Sequence, residues 1–188
     1  MLRTERLVLT ETRPDDRPHL VELACAEPVY RYLGGAVTRE EAERTVNPPT
    51  GRAGAFAIRR PVRTGAAGFD QTGPDDQPDA GPVFVGFVGF DRRAPELPGH
   101  LAAAGGELEL SSLLLPEHWG QGFGHEATRA ALGWAASVLS DEIVIAVTQS
   151  ANERSLALLR RLGFVERDRF HQFGAEQSLN VADLSAYE

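Results

Sequence analysis

Between Leu113 and Ala127 the chain reads Leu-Leu-Leu-Pro-Glu-His-Trp-Gly-Gln-Gly-Phe-Gly-His-Glu-Ala. An apolar strand-like run ends at Pro116, glycines follow at 120, 122 and 124, and a helix-forming sequence begins at once. Glycine lacks the Cβ that would hold an anion away from the backbone, and the first amides of a helix are unpaired donors at the positive end of its dipole. The chemistry this pattern supports is the cradling of a phosphate or pyrophosphate by N–H groups. It is not a P-loop, because no Lys-Ser/Thr pair follows the glycines to reach a nucleotide and its magnesium. Nor does it make the Gly-x-Gly-x-x-Gly step of a dinucleotide fold. A glycine-rich start to a helix with no ligand is the plainer alternative. His118 and His125 flank the glycines without a partner close in sequence, so His118 is read as packing or contacting solvent and His125 as offering only its amide. Trp119 and Trp134 read as core or loop-anchoring aromatics, and Cys25, at helical spacing from Val21, as a structural thiol.

The elements that must position this segment follow from hydrophobic period. Arg6–Thr10 reads as a short strand, and Asp15-Asp16 with Pro18 opens a helix carrying Leu20, Leu23 and Ala24. Thr38 is placed to cap a second helix through the amide of Glu40 or Glu41. Ala55–Ile58 and Val83–Phe90 are strands, the second apolar enough to be buried on both faces. Leu108–Leu115 is the next strand, and Phe123–Leu139 a helix with Ala127, Ala131, Trp134 and Val138 on one face. Ile143–Val147 is a buried strand. Asn152–Leu162 is a helix with Leu156, Leu158, Leu159 and Leu162 as its stripe and Gly163 as its left-handed stop. Strands return at 164–172 and 178–184. The order describes one α+β (mixed α/β) domain over residues 1–188, built on a single sheet.

Composition excludes several alternatives. The 27 acidic and 19 basic residues leave a formal charge of −8 over 188 residues, the wrong sign for coating nucleic acid. A lone cysteine permits neither an intramolecular disulfide nor a multi-cysteine zinc site, and a cytoplasmic protein without a metal is expected. No apolar run approaches the roughly 20 residues of a membrane span. Residues 61–82 gather four glycines, four prolines and four aspartates, and with so little apolar surface to offset ordering they are expected to form a mobile insert. That insert carries a net −3, so the acidity describes the rest of the chain less well than the total suggests.

The glycine segment, Glu109 ahead of it, the opening Thr4-Glu5-Arg6-Leu7-Val8-Leu9, and Asn152-Glu153-Arg154-Ser155 before Leu162-Gly163-Phe164 together resemble the GNAT N-acyltransferases, in particular their ribosomal-protein-alanine N-acetyltransferase-like branch. The resemblance implies the GNAT fold: a central, mostly antiparallel sheet with one splayed strand pair and about four helices. It implies acetyl-CoA, or another acyl-CoA, as co-substrate and a primary amine as acceptor: a protein N-terminus, a lysine or a small molecule. Leu113, Leu114 and Leu115 then match the strand that pairs with the pantetheine, the backbone of Leu113 and Leu115 in particular. Trp119, Gly120, Gln121, Gly122, Phe123, Gly124 and His125 match the pyrophosphate loop, and Asn152 and Ser155 the far side of the pantetheine site. Trp119 stands where the superfamily more often has Gln or Arg, which leaves the loop amides intact. Leu159 stands where many members carry the tyrosine acid, so the acid must be another group. Ser155 is the candidate, against a helix-start serine bonded to its own backbone. Glu109 is the candidate general base, against a solvated strand glutamate like Glu107. Tyr30 and Tyr32 fall where members form a wall of the acceptor pocket, or else simply pack. A coenzyme A-binding module without catalysis is the alternative function, and the sequence is equally compatible with a monomer or a homodimer.

Overall fold

Strand-forming and helix-forming runs follow one another in the order the sequence predicts, in a computed structural model that describes residues 1–62 and 81–188. Of the expected insert at 61–82, residues 63–80 lie outside the described residues. Eight strands form one sheet: β1 (Leu2–Arg3), β2 (Val8–Glu11), β3 (Ala55–Arg60), β4 (Val83–Arg92), β5 (Leu108–Leu114), β6 (Ile143–Gln149), β7 (Val165–Gln172) and β8 (Ala175–Asp183). Their order is β1-β2-β3-β4-β5-β6-β8-β7, and among the described residues only the β5–β6 neighbours are parallel. That single parallel pair is forced by the crossover between them, which is a helix rather than a turn.

The helices are α1 (Arg17–Cys25), α2 (Glu27–Tyr30), α3 (Arg39–Thr45), α4 (Phe123–Val138) and α5 (Glu153–Leu162). Thr38 caps α3 by accepting from the Glu41 amide at 3.2 Å, as its spacing predicts. Asn152 caps α5, and Gly163 ends it at φ +94°. The expected complement of about four helices is met with five, α2 being too short, at four residues, to show a period. Two expectations need correction. The strand expected at Arg6–Thr10 begins later, as β2 at Val8, and a further two-residue strand, β1, precedes it, with Leu7 buried between them. On α4 the buried face is Phe123, Ala127, Thr128, Ala131, Leu132 and Ala135, whereas Val138 is 59% exposed. At about 100° per residue Val138 falls on the same side as Ala127, so its exposure goes with its place as the last residue of α4.

The sheet has a different cover on each face. Leu108, Leu110, Val144 and Ala146 join Phe123, Ala127, Ala131 and Leu159 in the main core beneath α4 and α5. On the other face Phe84, Ala57 and Leu115 pack with Leu23 and Val29 of α1 and α2, and Tyr30, Leu113 and Trp119 lie against that cluster. Both faces of β4 are therefore buried along most of its length, in line with its continuous apolar run.

Candidate active site

The parallel strands β5 and β6 meet in one register pair, Glu109 opposite Ile145. Past it both continue, β5 to Leu114 and β6 to Gln149, without further pairing to each other, which opens a cleft at the centre of the sheet. Backbone groups alternate in direction along a strand. Arg93 donates to the Glu107 carbonyl and Leu115 donates to the Val85 carbonyl, each at 3.0 Å, so the odd-numbered residues of this strand pair with β4. The even-numbered Ser112 and Leu114 thus turn their backbone toward the cleft. This corrects the expectation that Leu113 and Leu115 present their backbone there: alternation places those groups on the occupied edge.

At the end of β5 the chain turns through Pro116–His118 into the glycine loop. Gly120 and Gly122 adopt φ +75° and +82°, the left-handed region where a Cβ is costly, and Gly122 is the N-cap of α4 without a capping side chain. Among the described residues no acceptor takes the amides of Gly120, Gln121, Gly122, Phe123, Gly124 or His125. Six successive free N–H groups at a helix start fit a pyrophosphate. Contacts from Trp119, Gln121 and Arg6 hold the loop. The Trp119 indole N–H donates to the Leu114 carbonyl at 2.8 Å, and the Arg154 guanidinium lies 4.0 Å from its ring centroid. Gln121 donates its side-chain amide to the Glu117 carbonyl, which makes that side chain a loop brace. Arg6 donates to the Gln121 carbonyl at 2.8 Å, pairs with Glu126 and covers the Phe123 ring at 4.8 Å. Burial works against the Glu126 charge, but hydrogen bonds from Thr4 and Arg6 outweigh it and hold the carboxyl below its usual range. A shallow pocket of about 660 Å³ beside the loop is lined by Arg6, Gly122, His125, Glu126, Arg129 and Arg161.

Glu109 sits at the mouth of the cleft. Its Oε1 accepts from Nη1 of Arg93 at 2.9 Å. Burial pushes its carboxyl above the ordinary glutamate value, and the Arg93 cation opposes that push without cancelling it. Glu107, the supposed solvated neighbour, is in fact enclosed: it accepts from the Leu101 and Ala102 amides and meets His100 Nδ1 at 2.5 Å. Burial again opposes its charge, yet those donors win and hold its pKa at about 2. Of the two strand glutamates, then, Glu107 is the structural one.

Across the cleft, the Asn152 carbonyl oxygen accepts from the Ser155 amide and its NH₂ donates to Thr148 at 3.2 Å. Its side chain is thereby committed to the cap of α5, leaving one NH₂ proton and one oxygen lone pair for other partners. The Ser155 amide is the capped group, and among the described residues its hydroxyl makes no hydrogen bond. The reading of Ser155 as bonded through its hydroxyl to its own backbone is not what the geometry shows. Tyr30 ends α2 and packs between two apolar clusters, where burial keeps its phenol above its ordinary pKa; Tyr32 follows in the next turn, half-buried. His118 is buried with Nε2 3.1 Å from the Phe84 carbonyl, a packing role. Leu159 is buried in the core.

Sequence reading missed Arg93, Arg6 and Glu126. Arg93 was legible only through register, since pairing Asp91 with Glu109 makes residue 93 a diagonal neighbour of that glutamate. Arg6 and Glu126 stand 120 residues apart, and no local pattern joins them. Among the described residues no three His, Cys, Asp or Glu side chains could share a metal ion, and no helix is long and apolar enough to cross a membrane.

The sequence profile of the family described as Acetyltransferase (GNAT) domain matches residues 6–165. The uncharacterized N-acetyltransferase YoaA of Bacillus subtilis is 26% identical over 188 residues, covering 98% of this chain and 96% of that protein. Among solved structures, a GNAT-family acetyltransferase from Bacillus anthracis superposes with a TM-score of 0.71 at 18% identity, covering 98% of each chain. The spermidine N-acetyltransferase of Vibrio cholerae, solved in complex with CoA and spermine, gives 0.68 at 15% identity over 98% of this chain and 99% of that one.

Proposed function

The chain belongs to the GNAT acetyltransferase family, and from that premise we propose that it transfers an acyl group, acetyl foremost, from an acyl-CoA to a primary amine in a ternary complex. The observation that carries this reading is the cleft between β5 and β6 leading directly to the six free amides of 120–125. A thioester coenzyme needs such a pair of features: an open strand edge for an amide-bearing arm, and an anion cradle for its diphosphate. In this reading Ser112 and the Leu114 amide offer the edge, the Leu114 carbonyl being taken by Trp119, with Gly120–His125 the cradle and Asn152 its remaining donor from the far side. When bound, the coenzyme supplies an activated acyl carbon for the acceptor nitrogen and leaves as a thiol.

The residues around the cleft divide the proton work. Glu109, half-buried beside the open edge, takes the proton that an ammonium acceptor must lose before it becomes a nucleophile, directly or through one water. Burial raises its basicity above that of a surface carboxylate, which suits this role. Ser155, with an uncommitted hydroxyl on the first turn of α5, is the donor for the departing thiolate in place of the tyrosine that Leu159 replaces. Tyr30, which packs on the same sheet face as Leu113, and Tyr32 in the turn after it are the residues for a wall of the acceptor pocket. Thr4-Glu5-Arg6, Glu109 and Glu117-His118-Trp119 support assignment to the ribosomal-protein-alanine N-acetyltransferase-like branch, in which a protein N-terminus is the acceptor. The spermidine enzyme's complex makes polyamines the second class to test.

The test is mass spectrometry of a panel of N-terminal peptides, lysine peptides and polyamines incubated with acetyl-CoA and, separately, succinyl-CoA. An acceptor mass gain of one acetyl group, dependent on the enzyme, is the expected result. Thermal protection by acyl-CoA with no product from any acceptor would replace this reading with that of a coenzyme-binding module.

A further inference from the structure

Arg93 lies just past the end of β4, and its side chain is 3% exposed, the most enclosed charged group near the cleft. A guanidinium carries five donors and is costly to bury unless they are met. Here four of the five are met, by three separate parts of the chain. Nη1 donates to Glu109 Oε1 at 2.9 Å; Nε donates to the Pro98 carbonyl at 3.0 Å, and Nη2 reaches the same carbonyl; Nη2 also donates to Gln172 Oε1 at 3.3 Å. The guanidinium carbon stands 5.6 Å from the Phe170 ring centroid. The Phe170 ring in turn rests on Gly99, where any Cβ would overlap it. The loop between β4 and β5, the end of β7 and the carboxylate on β5 therefore converge on one cation.

We infer that Arg93 is the positioning residue for Glu109: its planar fork fixes the carboxylate at the mouth of the cleft and ties that position to the 94–106 loop and the β7–β8 hairpin. The inference deepens the proposed function and rests on Glu109 acting as its base. A lysine could supply the charge but not the fork, because one ammonium cannot hold a carboxylate, a carbonyl and an amide in a fixed plane. The charged groups that face Glu109 are Arg93, Asp91 and His100. Asp91 is itself paired with Arg52 at 2.6 Å, and His100 with Glu107, so Arg93 is the partner in direct contact. Its cation favours the ionised carboxylate against burial.

Two variants and two readouts test this. In Arg93→Gln the cation is gone, and the acid limb of kcat/KM for the acceptor moves up by about one pH unit, equal to a tenfold loss on the limb, while KM for acyl-CoA stays within twofold. Carbon-13 NMR titration of the Glu109 carboxyl, assigned by its absence in Glu109→Gln, moves in the same direction in ligand-free protein. In Arg93→Lys the limb stays in place while kcat falls several-fold. A folded Arg93→Gln whose Glu109 carboxyl titrates as in the parent protein overturns the inference; so does Arg93→Lys with unchanged kcat, the decisive result should the glutamine variant not fold. If Glu109→Gln keeps full turnover, the base assignment fails, and the NMR titration still reports whether Arg93 governs that carboxyl.

Discussion

The Trp119 indole N–H donates to the Leu114 carbonyl at 2.8 Å, so the side chain that opens the glycine loop is bonded to the strand edge that faces the cleft. This contact gives the tryptophan a task that a glutamine or arginine at the same place would perform differently: it locks the loop to β5 rather than reaching for an anion. Arg154 closes the other side of the ring, so one indole joins β5, the loop and the start of α5.

Trp119→Phe keeps a ring for Arg154 and removes the donor together with the pyrrole half of the indole. Losing one such bond costs about 0.5–1.5 kcal/mol of stability, visible as a shift in denaturation midpoint. With the loop less fixed, KM for acyl-CoA is expected to rise several-fold while kcat changes less than twofold. A kcat loss with unchanged KM would mean that the indole acts on the reaction instead of on the loop.

Glu109→Gln keeps the shape of the side chain and removes its basicity. General-base removal lowers turnover by about 10²–10⁴-fold, with KM for acyl-CoA little changed because the glycine loop is untouched. The parent carboxyl sits above the ordinary glutamate range, so the base is lost as pH falls through a limb higher than that of a free glutamate. Initial rates between pH 4 and 9 check this: the limb is expected in the parent protein and absent in the variant. A parent rate that is flat across that range removes Glu109 from the mechanism.

Much of this site was legible in the chain because its parts are local. The cradle is a run of consecutive residues, and helix starts such as Thr38 and Asn152 need only three or four residues to declare themselves. What the sequence hid depends on register or distance. The edge on which Leu113 or Leu114 presents its backbone is a matter of parity, fixed only once β4 lies beside β5. The different fates of Glu107 and Glu109, two residues apart, arise from a loop that folds two amides and His100 over one of them and from Arg93, which reaches the other. The short α2 lacked the length to show a period, and the Arg6–Glu126 clamp joins residues 120 apart in the sequence.

Glu107 makes a prediction for acid stability. Its folded pKa of about 2 lies below the unfolded value of about 4.3, so the unfolded chain binds the proton more tightly. The stabilisation is thus fully present above the unfolded pKa and is lost as pH falls through the folded one, in the window from about 4.5 to 2. Its upper size is on the order of 3 kcal/mol. Urea denaturation at pH 7, 4 and 2.5 measures it, and Glu107→Gln is expected to lower stability at pH 7 and to flatten the fall across that window. Equal slopes in parent and variant would show that other carboxyls carry the acid sensitivity.

Gly122 and Gly124 separate backbone strain from ligand space. At Gly122, with φ +82°, a Cβ would lie 3.2 Å from Arg6 Nη2, so Gly122→Ala loses about 1–2 kcal/mol from the left-handed backbone alone and disturbs the clamp. It cannot test the cradle cleanly. Gly124 is helical, and a Cβ there would meet Leu158 and Leu114 at 3.7 and 3.8 Å, ordinary contact distances. Gly124→Ala is therefore expected to hold or raise stability, by up to about 1 kcal/mol from helix propensity. The same methyl stands beside the amides of the loop, so acyl-CoA binding is expected to weaken several-fold. Calorimetric titration with acetyl-CoA alongside a thermal melt reads both effects, which have opposite signs. A variant that is more stable and binds the coenzyme as tightly as the parent would place the diphosphate away from the start of α4.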